Sequence, residues 1–362
     1  MQWQSILTSN IISRWIASFF YSLQWQNIYF MTIKVQVNHI THYKYDRPVN
    51  LSPQTIRLRP SPHNKVPVTS YSFNITPKEH FLNWYQDIYG NFLANIFFPE
   101  KITEFKIDVQ VQADINIINP FDFFLDIKYE KWPFEYESSV KTELKQYLDP
   151  AEKGKLLMEF VGKLNTKQNQ NKNTIDFLVE VNQAVNKALG YVIRLDPGVF
   201  TCEETLTKKL GSCRDMAWLL CQVYRHLGFA ARFVSGYSIQ LKADEKPVIG
   251  PAGVEQDIVD LHAWTEIYIP GAGWVGLDPT SGMLCGEGHI PLCASATFEN
   301  AAPVSGLIDP CQSTIDHRME VIRIHEDPRT TKPFSDLEWN EIEKTAQQID
   351  KDILKQDIRL TI

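Results

Sequence analysis

An α+β fold, with an all-β N-terminal half and a helix laid on a sheet behind it, is predicted by three features of the 362-residue sequence. Apolar residues alternate in short runs over roughly the first third of the chain, the period of a half-buried strand. Past Glu135 the spacing changes to three and four, the period of a helix with one buried face. After a helical stripe that stops at Gly228, the run Arg232 to Leu241 turns rich in β-formers again.

Composition limits the function classes. Hydrophobic residues make up 44% and aromatic residues 12%, ample for the cores of two domains. A net charge of -7 without a clustered Lys/Arg stripe argues against a nucleic-acid partner. The six cysteines (Cys202, Cys213, Cys221, Cys285, Cys293 and Cys311) form no CxxC pair and no Cys/His cluster at zinc-ligand spacing. No metal and no cofactor are therefore expected. A chain of this size does not need disulfide staples, so reduced thiols and a cytoplasmic location are expected.

In chain order, residues 1–30 form a leader of uncertain status. Its apolar run Ile11 to Leu23 is too short to span a bilayer and is interrupted by Arg14, and no basic n-region or small-residue cleavage site accompanies it. The fold is expected to begin at Met31, the leader being a surface helix or an upstream-start artefact. Residues 31–135 read as an N-terminal β domain. Alternation appears at Ile33/Val35/Val37, Tyr71/Phe73/Ile75 and Ile107/Val109/Val111, and Pro-rich turns such as Arg59-Pro60-Ser61-Pro62 favour a sandwich over a parallel sheet. Asn119 to Glu135 is too apolar for a free linker and should pack across the junction.

Residues 136–300 read as the core. A helix near Thr174 uses Ile175, Leu178, Val179, Val185 and Leu189, and Thr201 with Glu204 makes a capping box for a short helix before Gly211. Cys213 then precedes the stripe Met216, Leu219, Leu220, Val223, Tyr224 and Leu227, which sets it at a helix N-terminus. The macrodipole and free N–H groups there favour a thiolate. A lone cysteine at a helix start is more often a small core residue, so partners decide. Leu241 to Asp260 reads as a long loop, a lid or a surface insertion.

The partners lie on a hairpin. Leu261 to Ile269 and Trp274 to Pro279 flank Pro270-Gly271-Ala272-Gly273, and antiparallel pairing brings His262 near Asp278. A nucleophilic thiol needs a base, and the base needs an acceptor that fixes its tautomer. Cys213, His262 and Asp278 fill those roles. Asp215 reads as a first-turn helix acid, Asp260 and Glu266 as solvated strand-edge charges, and His289 has no assigned role.

GSCRDMAWLLCQVYRHLGFAARFVSGY, DLHAWTEIYIPGAGWVGLDPTSG and LGYVIRLDPGVFTCEETLTKKLG together resemble the bacterial transglutaminase-like superfamily. The resemblance implies a papain/transglutaminase-like core behind an N-terminal β domain, with Cys213 as nucleophile, His262 as base and Asp278 as orienting carboxylate. The implied reaction is acyl transfer on amide bonds of a protein or peptide through a thioester, with hydrolysis preferred. Protein-glutamine transamidation and a non-catalytic peptide-binding module are the alternatives. Arg214, where many relatives carry Gln, leaves the substrate contacts open. Tyr191 is a candidate oxyanion donor beside the Cys213 N–H, and Trp264 a residue that shapes the pocket.

Residues 301–362 resemble the start of further domains in larger members. Ser335 with Glu338 caps a last helix whose stripe of Ile342, Ala346, Ile349 and Ile353 is core against the β domain or a docking surface for a partner.

Overall fold

The computed structural model describes residues 32–194, 196–243 and 253–326, with a few positions between 337 and 348. By internal contacts the chain divides into Thr32–His325, which carries the fold below, and a second unit of Met1–Met31 with Glu326–Ile362. The leader and the stripe of Ser335, Glu338, Ile342, Ala346, Ile349 and Ile353 lie outside the described residues.

The N-terminal half is a sandwich of two four-stranded sheets. Strands β1 (Ile33–Val49), β2 (Gln54–Ile56), β3 (Val68–Thr76), β4 (Phe81–Gln86), β5 (Phe92–Phe97) and β6 (Ile102–Ile115) form most of it. Two late strands, β14 (Val304–Ser305) and β15 (Ser313–Glu326), complete it, giving the orders β15-β1-β6-β3 and β14-β2-β5-β4. Alternation decides which residues face inward. Val35 and Val37 of β1 and Ile107, Val109 and Val111 of β6 are fully buried against Ile56, Ala94 and Ile96 of the other sheet.

Behind the sandwich come α1 (Ser138–Glu143), α2 (Lys145–Leu148), α3 (Lys155–Leu164), α4 (Thr174–Ala188), α5 (Cys202–Lys208) and α6 (Cys213–His226). The short strands β7 (Gly190–Tyr191) and β8 (Leu210–Gly211) pair in parallel between them. The main sheet follows: β9 (Ala231–Gln240), β10 (Ile258–Ile269), β11 (Gly273–Asp278), β12 (Met283–Leu284) and β13 (His289–Ser295), ordered β12-β11-β10-β9-β13 and antiparallel throughout.

Both faces of this sheet are covered. One face, with Phe233, Ala263, Ile267 and Leu277, packs on α4 and α6. Tyr237, Ile239 and Val259, on the same side nearer the Gln240 end, join the core of the sandwich, while the opposite face buries Val234 and Trp264 with Ala294. This is the α+β arrangement expected, with the cysteine-bearing helix on an antiparallel sheet.

Helix α6 is buried over nearly its whole length. Burial of Leu219, Leu220 and Val223 contributes roughly 1.5–3 kcal/mol each. A buried hydrogen bond from Thr265 Oγ1 to the Ala217 carbonyl, 2.8 Å, fixes α6 along β10. The connection 119–135 packs as its composition requires: Phe123 and Leu125 are partly buried on the helical core, and Trp132 stacks on Phe177 at 4.0 Å.

A candidate cysteine active site

Cys213 is the first residue of α6, half-buried, with Ser212 as N-cap. Asp215 reaches back, its Oδ2 accepting from the Ser212 N–H (2.9 Å) and Oγ–H (2.7 Å), which holds the first turn. Its Oδ1 accepts from Arg194 Nη2 and the Phe200 N–H, both at 2.7 Å. The expected helix acid is thus also a fully buried anchor for the loop beside the cysteine.

His262 lies on β10 and Asp278 at the end of β11. His262 Nε2 stands 3.2 Å from Asp278 Oδ2 and 3.4 Å from Thr280 Oγ1, and the imidazole interacts electrostatically with Cys213. With Nε2 turned to the carboxylate, Nδ1 is the ring nitrogen left for another partner. The other oxygen of Asp278 is held by Thr280, whose N–H and Oγ–H donate at 2.9 and 2.8 Å. Helix α4 clamps the backbone here: Asn182 Nδ2 donates to the carbonyls of Asp278 and Met283, and Asn186 Nδ2 to those of Pro279 and Thr280. Trp264, 1% exposed, lies nearly parallel to the His262 ring with centroids 6.4 Å apart. It supports the imidazole from within the core.

Burial alone would lower the His262 pKa, but the hydrogen bonds and charges of Asp278 and Cys213 outweigh it and raise it to about 10. Burial would likewise raise Asp278, yet His262 and then His289 hold its carboxyl far below the usual range. The raised His262 contributes stability that is complete below its unfolded value of 6.5 and is lost as pH rises through about 10. The depressed Asp278 contributes stability that is complete above its unfolded value of 3.8 and is lost as pH falls through the folded value. Urea unfolding across the alkaline window is therefore expected to show a steeper loss of stability in the wild type than in His262→Gln.

The remaining candidates are placed as follows. Tyr191 pairs in register with Gly211, two residues before the cysteine, and is half-exposed. Burial, then the charges of Cys213, Asp260 and Asp278, push its phenol up to about 12, so it is a hydroxyl donor at neutral pH. Arg214 gives its Nη2 to the carbonyls of Arg194 and Asp196, at 2.7 and 2.9 Å, and closes the 194–196 loop. Asp260 is exposed, as expected of a strand-edge charge. Glu266 corrects the solvated reading: it is 6% exposed, with Oε2 2.7 Å from Arg232 Nε and Oε1 3.7 Å from His63. Covering both faces of the sheet leaves no wet side at that position. Of the loop Leu241 to Asp260, residues 244–252 lie outside the described residues, while Asp257 pairs with Arg323 at 2.7 Å.

His289, unassigned from sequence, is part of the site. Its Nε2 is 3.5 Å from Asp278 Oδ2, and its ring meets Trp264 edge-on at 5.2 Å. It arrives on β13, which pairs with β9 and not with its sequence neighbour, so hairpin reasoning alone does not reach it.

A cysteine at the start of a buried helix thus shares one site with a histidine and an aspartate on an antiparallel sheet. In comparison with known families, residues 35–114 match the bacterial transglutaminase-like N-terminal region and residues 162–279 the transglutaminase-like superfamily. Residues 309–362 match a third family, described as "Putative amidoligase enzyme". An uncharacterised protein of Mycobacterium tuberculosis is 24% identical over 307 residues, covering 80% of this chain and 93% of that one. One from Mycobacterium leprae is 22% identical over 298 residues, 80% of this chain and 99% of that one. The solved structure titled a "Putative Cysteine Protease" from Cytophaga hutchinsonii superimposes with a TM-score of 0.59 at 18% identity, over 84% of this chain and 94% of that one. It shares the fold. No helix among the described residues is long and apolar enough to cross a membrane.

Proposed function

We propose that the chain catalyses cysteine-dependent acyl transfer on amide bonds of a protein or peptide, with hydrolysis as the main outcome. The observation that carries this reading is His262, which interacts electrostatically with Cys213 and is paired through Nε2 with a buried, Thr280-braced Asp278. Cys213 Sγ attacks the amide carbonyl while His262 holds the thiol proton. The tetrahedral oxyanion is met by the Cys213 N–H at the helix start, with the Tyr191 hydroxyl as second donor. His262 then protonates the leaving amine, and a thioester remains on Cys213. Water activated by the same imidazole releases the acid; an amine acceptor would give transamidation instead.

Exposed apolar residues flank the site: Tyr191, Val192 and Leu210 at the short β7/β8 pair that leads into the cysteine, and Met283 opposite Asp278. They support a peptide with apolar side chains as substrate.

The test is a peptide-library assay with and without a primary amine donor, read by mass spectrometry for wild type and Cys213→Ala. Cleaved amides that depend on Cys213 are expected. Amine incorporation without cleavage would replace hydrolysis by transamidation. Peptides bound but unchanged would leave a recognition module.

A further inference from the structure

We infer that His262, His289 and Asp278 form a site for a single zinc ion, and that zinc there switches off the chemistry proposed for Cys213. The regulatory half rests on the acyl-transfer reading; the binding half does not. The two imidazoles and the carboxylate each offer one ligand atom, and these atoms lie within 4.8 Å of one another. Zinc bonds of about 2.0–2.1 Å at tetrahedral angles put neighbouring ligand atoms about 3.3–3.4 Å apart. The spacings from Asp278 Oδ2 are 3.2 Å to His262 Nε2 and 3.5 Å to His289 Nε2. Two edges of the coordination polyhedron are thus already at length.

His289 Nε2 is buried, and its approach to Asp278 Oδ2 at 3.5 Å lacks the geometry of a full hydrogen bond. Its ring is fixed edge-on against Trp264, so the lone pair keeps its aim. The carboxylate has the second support that metal ligands commonly show: Thr280 occupies Oδ1 twice and leaves Oδ2 to the imidazoles. Two histidines and one carboxylate with a position left for water form a donor set that suits zinc.

The effect on the thiol follows from the ring. Zinc on Nε2 displaces the Asp278 pairing and leaves the imidazole's single proton on Nδ1. No lone pair then remains to accept the Cys213 proton. Cys213 is not among the ligand atoms that come together here, so it is not a ligand.

Zinc titration by calorimetry on wild type, Cys213→Ala and His289→Ala tests the site. One zinc per chain is expected for wild type and Cys213→Ala with the same affinity, and an affinity at least about 10-fold weaker for His289→Ala, as a lost ligand costs no less than a lost outer-shell partner. Asp278→Asn is a second ligand variant should His289→Ala unfold. Cobalt(II) in the wild-type site is expected to show d–d bands without a thiolate charge-transfer band. No binding by wild type, or binding that survives His289→Ala and is lost in Cys213→Ala, would overturn the proposal. Alkylation of Cys213 without metal reports the acyl-transfer reading separately; added zinc is expected to slow it in wild type and to leave the His289→Ala rate unchanged.

Discussion

Amide turnover in Cys213→Ala is expected to fall by roughly 10⁴-fold or more, to the level that binding and oxyanion contacts alone sustain. The loss is large because the covalent route disappears, not because the site collapses: Cys213 is half-buried at the helix start, and alanine fits there. His262→Ala should cost about as much, and the double variant little more than either single one, since the two groups act as one unit on one proton. Initial rates on a cleaved peptide check both. Additive losses would mean that the two side chains act in separate steps.

The second large effect is on stability. Asp215→Ala is expected to destabilise the protein by about 3–5 kcal/mol, the range for breaking a buried ion pair by removing one partner. Burial would raise the Asp215 pKa, but Arg194, Phe200 and Ser212 hold its carboxyl below the usual range. Alanine strands the Arg194 guanidinium, 11% exposed, and releases the Ser212 and Phe200 N–H groups. Thermal and urea unfolding read the loss. The change also frees the loop that flanks the nucleophile, so turnover should fall beyond what the folded fraction explains. An unfolding midpoint equal to wild type would show that the anchor carries no stability.

Much of this was legible in the sequence where function depends on neighbours along the chain. Cys213 at a helix start follows from Gly211 and the apolar stripe. The nearness of His262 and Asp278 follows from a hairpin whose turn is spelled by Pro270-Gly271-Ala272-Gly273. The sandwich follows from period-two alternation in β1, β3 and β6.

What was not legible depends on non-sequential pairing. β15 lies beside β1 across most of the chain, and β13 beside β9, so neither the second late strand nor His289 is announced by local pattern. Glu266 misleads for a related reason. Its charge suggests water, and Arg232, opposite it across the β9/β10 pair, together with His63 explains why it is buried. Asn182 and Asn186 look like ordinary helix-surface polar residues until the loop after Asp278 folds onto α4.

The central claim, that His262 activates the Cys213 thiol, is tested most directly by the rate of Cys213 alkylation at neutral pH in wild type and His262→Ala, with Cys213→Ala as the site control. A free thiol is ionised to only a few per cent there, so loss of the imidazole is expected to slow labelling by roughly 10–100-fold. Equal rates in wild type and His262→Ala would contradict it.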